Sequence, residues 1–420
     1  MRNVTIIGAG IVGVCTARFL QNAGFKVQLV DRGEPVRETS FGNLGMLCSV
    51  EHALPLPSVD VLKSVPKMLF NYQSPLVMRW KHLPRLMPWL LRFIGNCNDK
   101  TRLRNAQALA ALMKETLNAY TQLVEITPDA RKFILQRGSL DLYRNFATFE
   151  RDAQERQRIR NLGVTVDELD SAEITQLEPA VSRDFRYGVY FPNSGHCLDP
   201  YGLGTTLFQA FLAAGGEFIQ TEITGAELSD KKVTSLISME GTIAVESIVL
   251  ATGAWSGHLA RALQSPVPID TERGYHTMLH GVDGGISRPI GDVQNHVGLT
   301  QMNDGLRIGG TVELAGLNAP PDYKRAEHFY EKSRSLLPHL PATSQTEITR
   351  WMGYRPTLPD YLPVLGPSPH LDNAWFAFGH QHLGLSLAAR TGQLIANSMA
   401  GISNDINLHP YRPNRFKNIY

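Results

Sequence analysis

The chain has 420 residues with 41 Lys and Arg against 39 Asp and Glu, a net charge of +2, which excludes the strongly basic footprint of a nucleic-acid-binding protein. With 43% hydrophobic and 19% charged residues it has material for two or three packed domains and is not a disordered chain. Cys15, Cys48, Cys97 and Cys197 show no CxxC spacing, which argues against a disulfide framework or a zinc ribbon.

Taken in chain order, the first element is a β-branched run at Val4–Ile7 that reads as a buried parallel strand. One basic residue, Arg2, precedes it, so no signal peptide is expected. Gly8-Ala9-Gly10-Ile11-Val12-Gly13 follows at once, then a helix-compatible stretch from Val14 to Ala23 closed by Gly24, then a second strand from Lys26 that ends in Asp31. In a strand–GxGxxG–helix–strand–acid unit, Gly8 permits the tight turn, Gly10 lets the backbone approach a pyrophosphate, and Gly13 lets helix and strand pack closely. The helix start, with Ile11 and Val12, offers free N–H groups to phosphate. Asp31, about 20 residues on, is placed for a ribose diol and would repel a 2′-phosphate. Arg32 reads as a neighbour of the adenosine.

Thr39 to Met46 is small and polar, suited to a backbone beside an extended cofactor; its candidate contacts are Ser40, Asn43, Gly45 and Met46. No stretch reaches the ~18 apolar residues of a membrane span. The nearest, Leu83 to Ile94, is broken by Pro84, Arg85, Pro88 and Arg92. It reads as a packed segment. Its Trp89, Leu90, Leu91 and Phe93 beside basic residues leave a membrane-surface contact open. Thr101 to Ile126 repeats Leu103, Ala106, Ala110, Met113, Leu117, Tyr120 and Val124 at steps of three and four, an amphipathic helix. Ser139 to Arg144 alternates like a strand, and Asp199 to Gly215 reads as a helix.

Ser247 to Leu250 is an apolar strand running into Ala251, Thr252 and Gly253, where glycine again allows close approach to a dinucleotide. Val267 to Gly310 reads as several short strands of a mixed sheet, and Lys324 to Leu337 as a helix stopped by Pro338. Gly379-His380-Gln381-His382-Leu383-Gly384 then precedes a last helix, Ser386 to Ala400. His380 and His382 stand at i and i+2 with no nearby carboxylate or thiol, so no metal site is expected there.

These motifs together resemble the FAD-dependent D-amino-acid oxidase superfamily, and within it the bacterial D-amino-acid dehydrogenases. The resemblance also rests on Ser40-Phe41-Gly42-Asn43-Leu44-Gly45, Arg273-Gly274-Tyr275, Gly309 to Glu313, Gly353 to Asp360 and Leu365-Gly366-Pro367. It spans nearly the whole chain. It implies an α/β (α+β) fold: a Rossmann-like FAD-binding domain (1–75, 190–258 and 345–420) interleaved with a substrate or cap domain on a mixed sheet (76–189 and 259–344). A second GxGxxG is absent, so the hydride is expected from an organic substrate rather than from NAD(P)H.

The implied chemistry is oxidative deamination of a D-amino acid, with electrons passed to a quinone or other acceptor. An oxidase or dehydrogenase of glycine, sarcosine or a D-hydroxyproline-like secondary amine is the alternative. Arg355 is the candidate carboxylate anchor, because a guanidinium grips a carboxylate bidentately. Relatives place an Arg of this segment on the substrate carboxylate. Tyr275 is a second candidate through its hydroxyl. His52 falls where relatives have substrate-side residues. The 379–384 loop, through Gly379, His380, His382, Leu383 and Gly384, is expected against the isoalloxazine, with the following helix dipole stabilising the reduced ring. Trp351-Met352 occupies a stretch where some relatives attach flavin through Cys, so non-covalent FAD is expected. No general base is demanded. A cytoplasmic enzyme is implied, with contact to the inner membrane face, a partner subunit and a homo-oligomer left open.

Overall fold

The computed structural model describes residues 2–58, 61–63, 74, 76–342 and 346–416. The expected boundaries at 75 and 345 lie outside the described residues.

One sheet takes its strands in the order Glu217–Gln220, Lys26–Asp31, Asn3–Ile7, Ile248–Leu250, Ala374–Phe378, Val364–Pro367. The first five run parallel and the last is antiparallel. Alternation assigns its faces. Val4, Ile6, Leu29 and Val249 pack with the helices Ile11–Asn22, Pro200–Ala213 and Gly384–Ala400. Ile7, Val30, Ile248 and Leu250 pack instead on a three-stranded antiparallel sheet, Ile223–Ser229, Lys232–Ser238 and Gly241–Ala244. Both faces are covered, which is why these strands read as continuous apolar runs. The last helix lies close on the first: a Cβ at Gly392 would sit 2.9 Å from the Cys15 carbonyl.

A second, ten-stranded mixed sheet is built around Asp270–His280, which pairs antiparallel with Ile348–Thr357 over nearly its full length. Across Val267–Gly310 the sheet has four strands: Ile290–Asp292, Val297–Met302 and Gly305–Gly309 are short, as expected, whereas Asp270–His280 is one strand of 11 residues. Its length follows from burial on both faces; Thr271 to Leu279 are all buried.

The single helix expected over Thr101–Ile126 is two, Asp99–Met113 and Thr116–Glu125. The backbone leaves helical geometry at Glu115 (φ −101°, ψ 15°). The apolar rhythm runs through the break because Leu109, Ala110, Met113, Tyr120, Leu123 and Val124 all enter one core. Leu103, first of the expected stripe, is exposed.

Leu83–Gly95 is a helix with Pro88 inside it. Trp89 and Phe93 point inward, stacked with ring centroids 5.2 Å apart. They therefore do not form the membrane-facing surface considered from sequence. The exposed apolar residues are Met87, Leu91 and Ile94. Among the described residues, no helix is long and apolar enough to cross a membrane.

Candidate flavin and substrate site

A cavity of about 730 Å³ runs from the glycine turn after the first strand to the loop before the last helix. At the nucleotide end Gly8 has φ +110°, and a Cβ there would lie 2.4 Å from the Ala251 carbonyl oxygen. A Cβ on Gly13 would meet the Gly8 carbonyl at 1.9 Å. Neither position admits a side chain. Gly10 differs: Ser40 Oγ, at 3.4 Å, is the sole neighbour a Cβ would meet within 4 Å, so its backbone stays open to the cavity. Ser40 Oγ also accepts the Ile11 N–H (3.0 Å). The Asp31 carboxylate accepts the N–H groups of Ala9 (2.7 Å) and Gly33 (3.0 Å) and still borders the cavity. Arg32 lies over the Trp255 ring at 4.2 Å. Val12, Ala251, Thr252 and Gly253 complete this end. An open helical N-terminus beside a carboxylate at the second strand end fits the pyrophosphate and ribose of an adenine dinucleotide.

Along the middle, Asn43 and Met46 line the cavity. Asn43 Nδ2 donates to the Ser40 carbonyl and its Oδ1 accepts the Gly45 N–H, both at 2.8 Å, which fixes the bend. Gly45 itself faces away, with φ +71° and a would-be Cβ 2.4 Å from the Cys197 carbonyl.

The far end is set by the register of the two long strands, where Glu272 pairs with Arg355, Gly274 with Gly353 and His276 with Trp351. Directly opposed residues share a face. Arg355 folds over Gly274, where a Cβ would stand 2.4 Å from Nη2. Its Nη1 donates to the Thr311 carbonyl at 3.1 Å, and its open side faces the cavity. Burial pushes the Arg355 pKa down, while Glu272 and Tyr361 pull it up. Glu272 is buried and accepts the Tyr361 hydroxyl; burial raises its pKa against the pull of Tyr361 and Arg355. Trp351 stacks on His276 at 5.2 Å. His276 Nδ1 lies 2.6 Å from the Gly42 carbonyl, so that nitrogen carries the proton. Burial and Arg307 hold its pKa down to about 3.

Tyr275 borders the cavity, but its hydroxyl is committed elsewhere. It donates to Glu313 Oε2 (2.6 Å) and accepts the Asp322 N–H (3.0 Å). A substrate carboxylate reaching this hydroxyl, as expected from the sequence, would have to share it with these two partners. Tyr275's neighbours Glu272, Gly274 and His276 are the residues on the Arg355 face, because successive strand residues alternate.

In the loop before the last helix, His380, His382 and Gly384 line the cavity. His380 Nε2 bonds Thr391 Oγ1 at 2.9 Å, and burial lowers its pKa to about 4. His382 stands 6.0 Å, ring to ring, from His52. Gly379 (φ +82°) and the fully buried Leu383 shape the loop from behind and do not line the cavity, as is true of Gly13 and Gly45. His52 sits in the Val50–His52 turn, where Cys48, Glu51 and His52 bring their ligand atoms within 4.8 Å of one another. Burial opposes a charge on His52, but Cys48, Glu51 and Asp141 outweigh it and raise its pKa to about 10.

Sequence reasoning did not single out Glu272, His276 or Trp351 as site residues. The signal was period two along each strand, but using it requires the cross-strand register.

Comparison with known proteins places the whole chain in one family. The family described as FAD dependent oxidoreductase (DAO) matches residues 3–398. The chain is 35% identical over 419 residues, 99% of each sequence, to a D-amino-acid oxidase of Bradyrhizobium diazoefficiens. It is 34% identical, over 98% of each sequence, to a D-amino acid dehydrogenase of Paramagnetospirillum magneticum. In fold it is similar to glycine oxidase of Bacillus cereus (TM-score 0.74, 20% identity, 97% of each chain). It is likewise similar to L-proline dehydrogenase of P. horikoshii (TM-score 0.75, 18% identity, 99% and 98% of the chains). The cradle for a dinucleotide, the Arg355 face and these full-length matches identify the chain as a member of the DAO family of FAD-dependent oxidoreductases, flavoenzymes acting on amino acids.

Proposed function

We propose that the protein oxidises D-amino acids to the corresponding imino acids, which water hydrolyses to 2-oxo acids and ammonia. The observation that carries this reading is Arg355, held over Gly274 with its guanidinium open to the cavity. A bidentate guanidinium orients an α-carboxylate and thereby fixes where Cα–H points. The D configuration is supported by the names of the relatives at 34% and 35% identity. FAD, when bound, accepts the hydride that leaves Cα. Gly8, Gly10, Asp31 and Ser40 would hold its nucleotide half, and Met46, His380, His382 and Gly384 would border its ring. Trp351 and His276 wall the reacting end and exclude water. No side chain is assigned as base, since the free amine drives hydride departure. Tyr275 acts as wall rather than anchor, and the flavin is held without a covalent bond.

In this reading the FAD-binding part comprises 1–75, 190–258 and 345–420, and 76–189 with 259–344 form the cap. Electrons pass to a quinone rather than mainly to oxygen. The exposed row Met87, Leu91 and Ile94, with the exposed Lys81 and Arg85 a few residues before it in the chain, is the surface we assign to peripheral contact with an anionic membrane face. Anaerobic bleaching of the flavin by a panel of D-, L- and N-methyl amino acids tests the substrate. Reduction by D-amino acids is expected; reduction by glycine, sarcosine or imino acids alone would overturn it. Quinone turnover against peroxide release tests the acceptor, and stoichiometric peroxide at full turnover would refute the dehydrogenase reading.

A further inference from the structure

We propose that Cys48, Glu51 and His52 form a binding site for a divalent cation of the zinc class on the cavity wall. The three donors are a sulfur, an imidazole nitrogen and a carboxylate oxygen, and they lie within 4.8 Å of one another. Among the described residues, this is the one group of three or more His, Cys, Asp and Glu side chains that converges so closely. It is not the His380–His382 pair to which the sequence drew attention.

The donor set is selective by chemistry. A thiolate with an imidazole disfavours magnesium and calcium, which take all-oxygen shells, and favours zinc or a neighbouring late transition ion. Three protein ligands with a fourth position open is the arrangement of a reactive or exchangeable zinc site rather than a closed structural one. The open side is the cavity, because Cys48 and His52 both line it.

The ligands are also held from behind. The Cys48 N–H donates to Ser386 Oγ at 2.9 Å. Glu51 Oε1 accepts the Ser49 N–H (2.8 Å) and the Ser194 hydroxyl (2.6 Å), which leaves Oε2 for the cation. Such supporting bonds orient ligands before the metal arrives. Ligation needs a thiolate and a neutral imidazole, so the cation displaces the protons that Cys48 and His52 carry and releases them to solvent, with no change of oxidation state. A bound cation would stand near His382, whose ring is 6.0 Å from that of His52, on the cavity wall.

The test uses the FAD-loaded full chain, stripped with chelator and then offered zinc chloride alone. One equivalent is expected to survive desalting, and X-ray absorption at the zinc edge is expected to show one sulfur at about 2.3 Å. Cys48→Ser and His52→Ala should each weaken binding beyond the roughly 10–100-fold typical for loss of a supporting residue. Cys97→Ser should not. No retained zinc, or a shell of nitrogen and oxygen only in the unaltered protein, would overturn the site. Tight binding that survives both ligand substitutions would do the same. The readout is metal uptake, so it stands or falls apart from the choice of amino-acid substrate.

Discussion

Glu272 and Arg355 face each other across the antiparallel pair Asp270–His280 and Ile348–Thr357, one acid and one base on the same face of the sheet. Glu272 is buried and bonded to Tyr361, while Arg355 opens to the cavity. The pair gives the cavity a cation whose charge is supported from behind, yet whose donors remain available to a ligand.

Removing that cation should separate substrate binding from cofactor binding. Arg355→Leu is expected to raise KM and lower kcat/KM by roughly ten- to a hundredfold, the value of a hydrogen bond to a charged group, about 1.5–3 kcal/mol. Flavin content should not change. Gly274→Ala is the companion variant: its Cβ would sit 2.4 Å from Nη2, so it displaces the guanidinium without removing the charge. Steady-state kinetics and flavin absorbance read both, and unaltered KM in both would make Arg355 structural.

Tyr275→Phe distinguishes a wall from an anchor. Its hydroxyl joins Glu313 to the Asp322 N–H, and its loss removes both bonds while Glu313 keeps Arg79 and Arg273 as partners. Stability should fall by about 0.5–1.5 kcal/mol, the worth of a lost hydrogen bond, with KM for the amino acid nearly unchanged. A large KM increase without loss of stability would restore Tyr275 as a carboxylate contact.

The buried histidines predict acid sensitivity. His276 and His380 have pKa values lowered by burial to about 3 and about 4, against 6.5 for an ordinary histidine. Above pH 6.5 both are neutral in the folded and unfolded chain, and the stability of the neutral, packed rings is fully present. As pH falls below that value the unfolded chain binds protons that the folded chain does not. Each histidine then lowers stability by up to about 1.4 kcal/mol per pH unit until its folded pKa is reached. The Tm should drop steadily from pH 7 to pH 4, and His276→Asn should flatten the slope. A Tm independent of pH over that range would show that these rings are not held neutral.

Much of the nucleotide end was legible in the sequence, because its constraints are local. Gly8 and Gly13 are forced by contacts within a few residues or with the adjacent strand, and Asp31 ends the strand that follows. The substrate end was less legible because it depends on long-range register. Arg355 stood out by its chemistry, but its relation to Glu272 and Gly274 exists only once residues some eighty positions apart are paired (355 against 272 and 274). That Tyr275 lies on the other face of its strand from Glu272, Gly274 and His276 follows from the same register. Gly392 gave no local signal at all; its need for a small side chain comes from Cys15 in another helix.

The helix Leu83–Gly95 offers a separate prediction. Leu91→Glu with Ile94→Glu places charge on its exposed apolar row. Flotation with vesicles of anionic phospholipid is expected to recover the unaltered protein and lose the double variant, with no loss of flavin. Equal recovery of both would remove this face as the membrane contact.

In the proposed reaction Arg355 orients a D-amino acid for hydride loss to FAD. The most direct measurement is anaerobic stopped-flow reduction of the bound flavin by matched D and L enantiomers, in the unaltered protein and in Arg355→Leu. Rapid bleaching by the D enantiomer, little by the L enantiomer, and a much higher concentration of D substrate for half-maximal rate in the variant are expected. Equal reduction by both enantiomers, or a D-substrate dependence indifferent to Arg355, would contradict it.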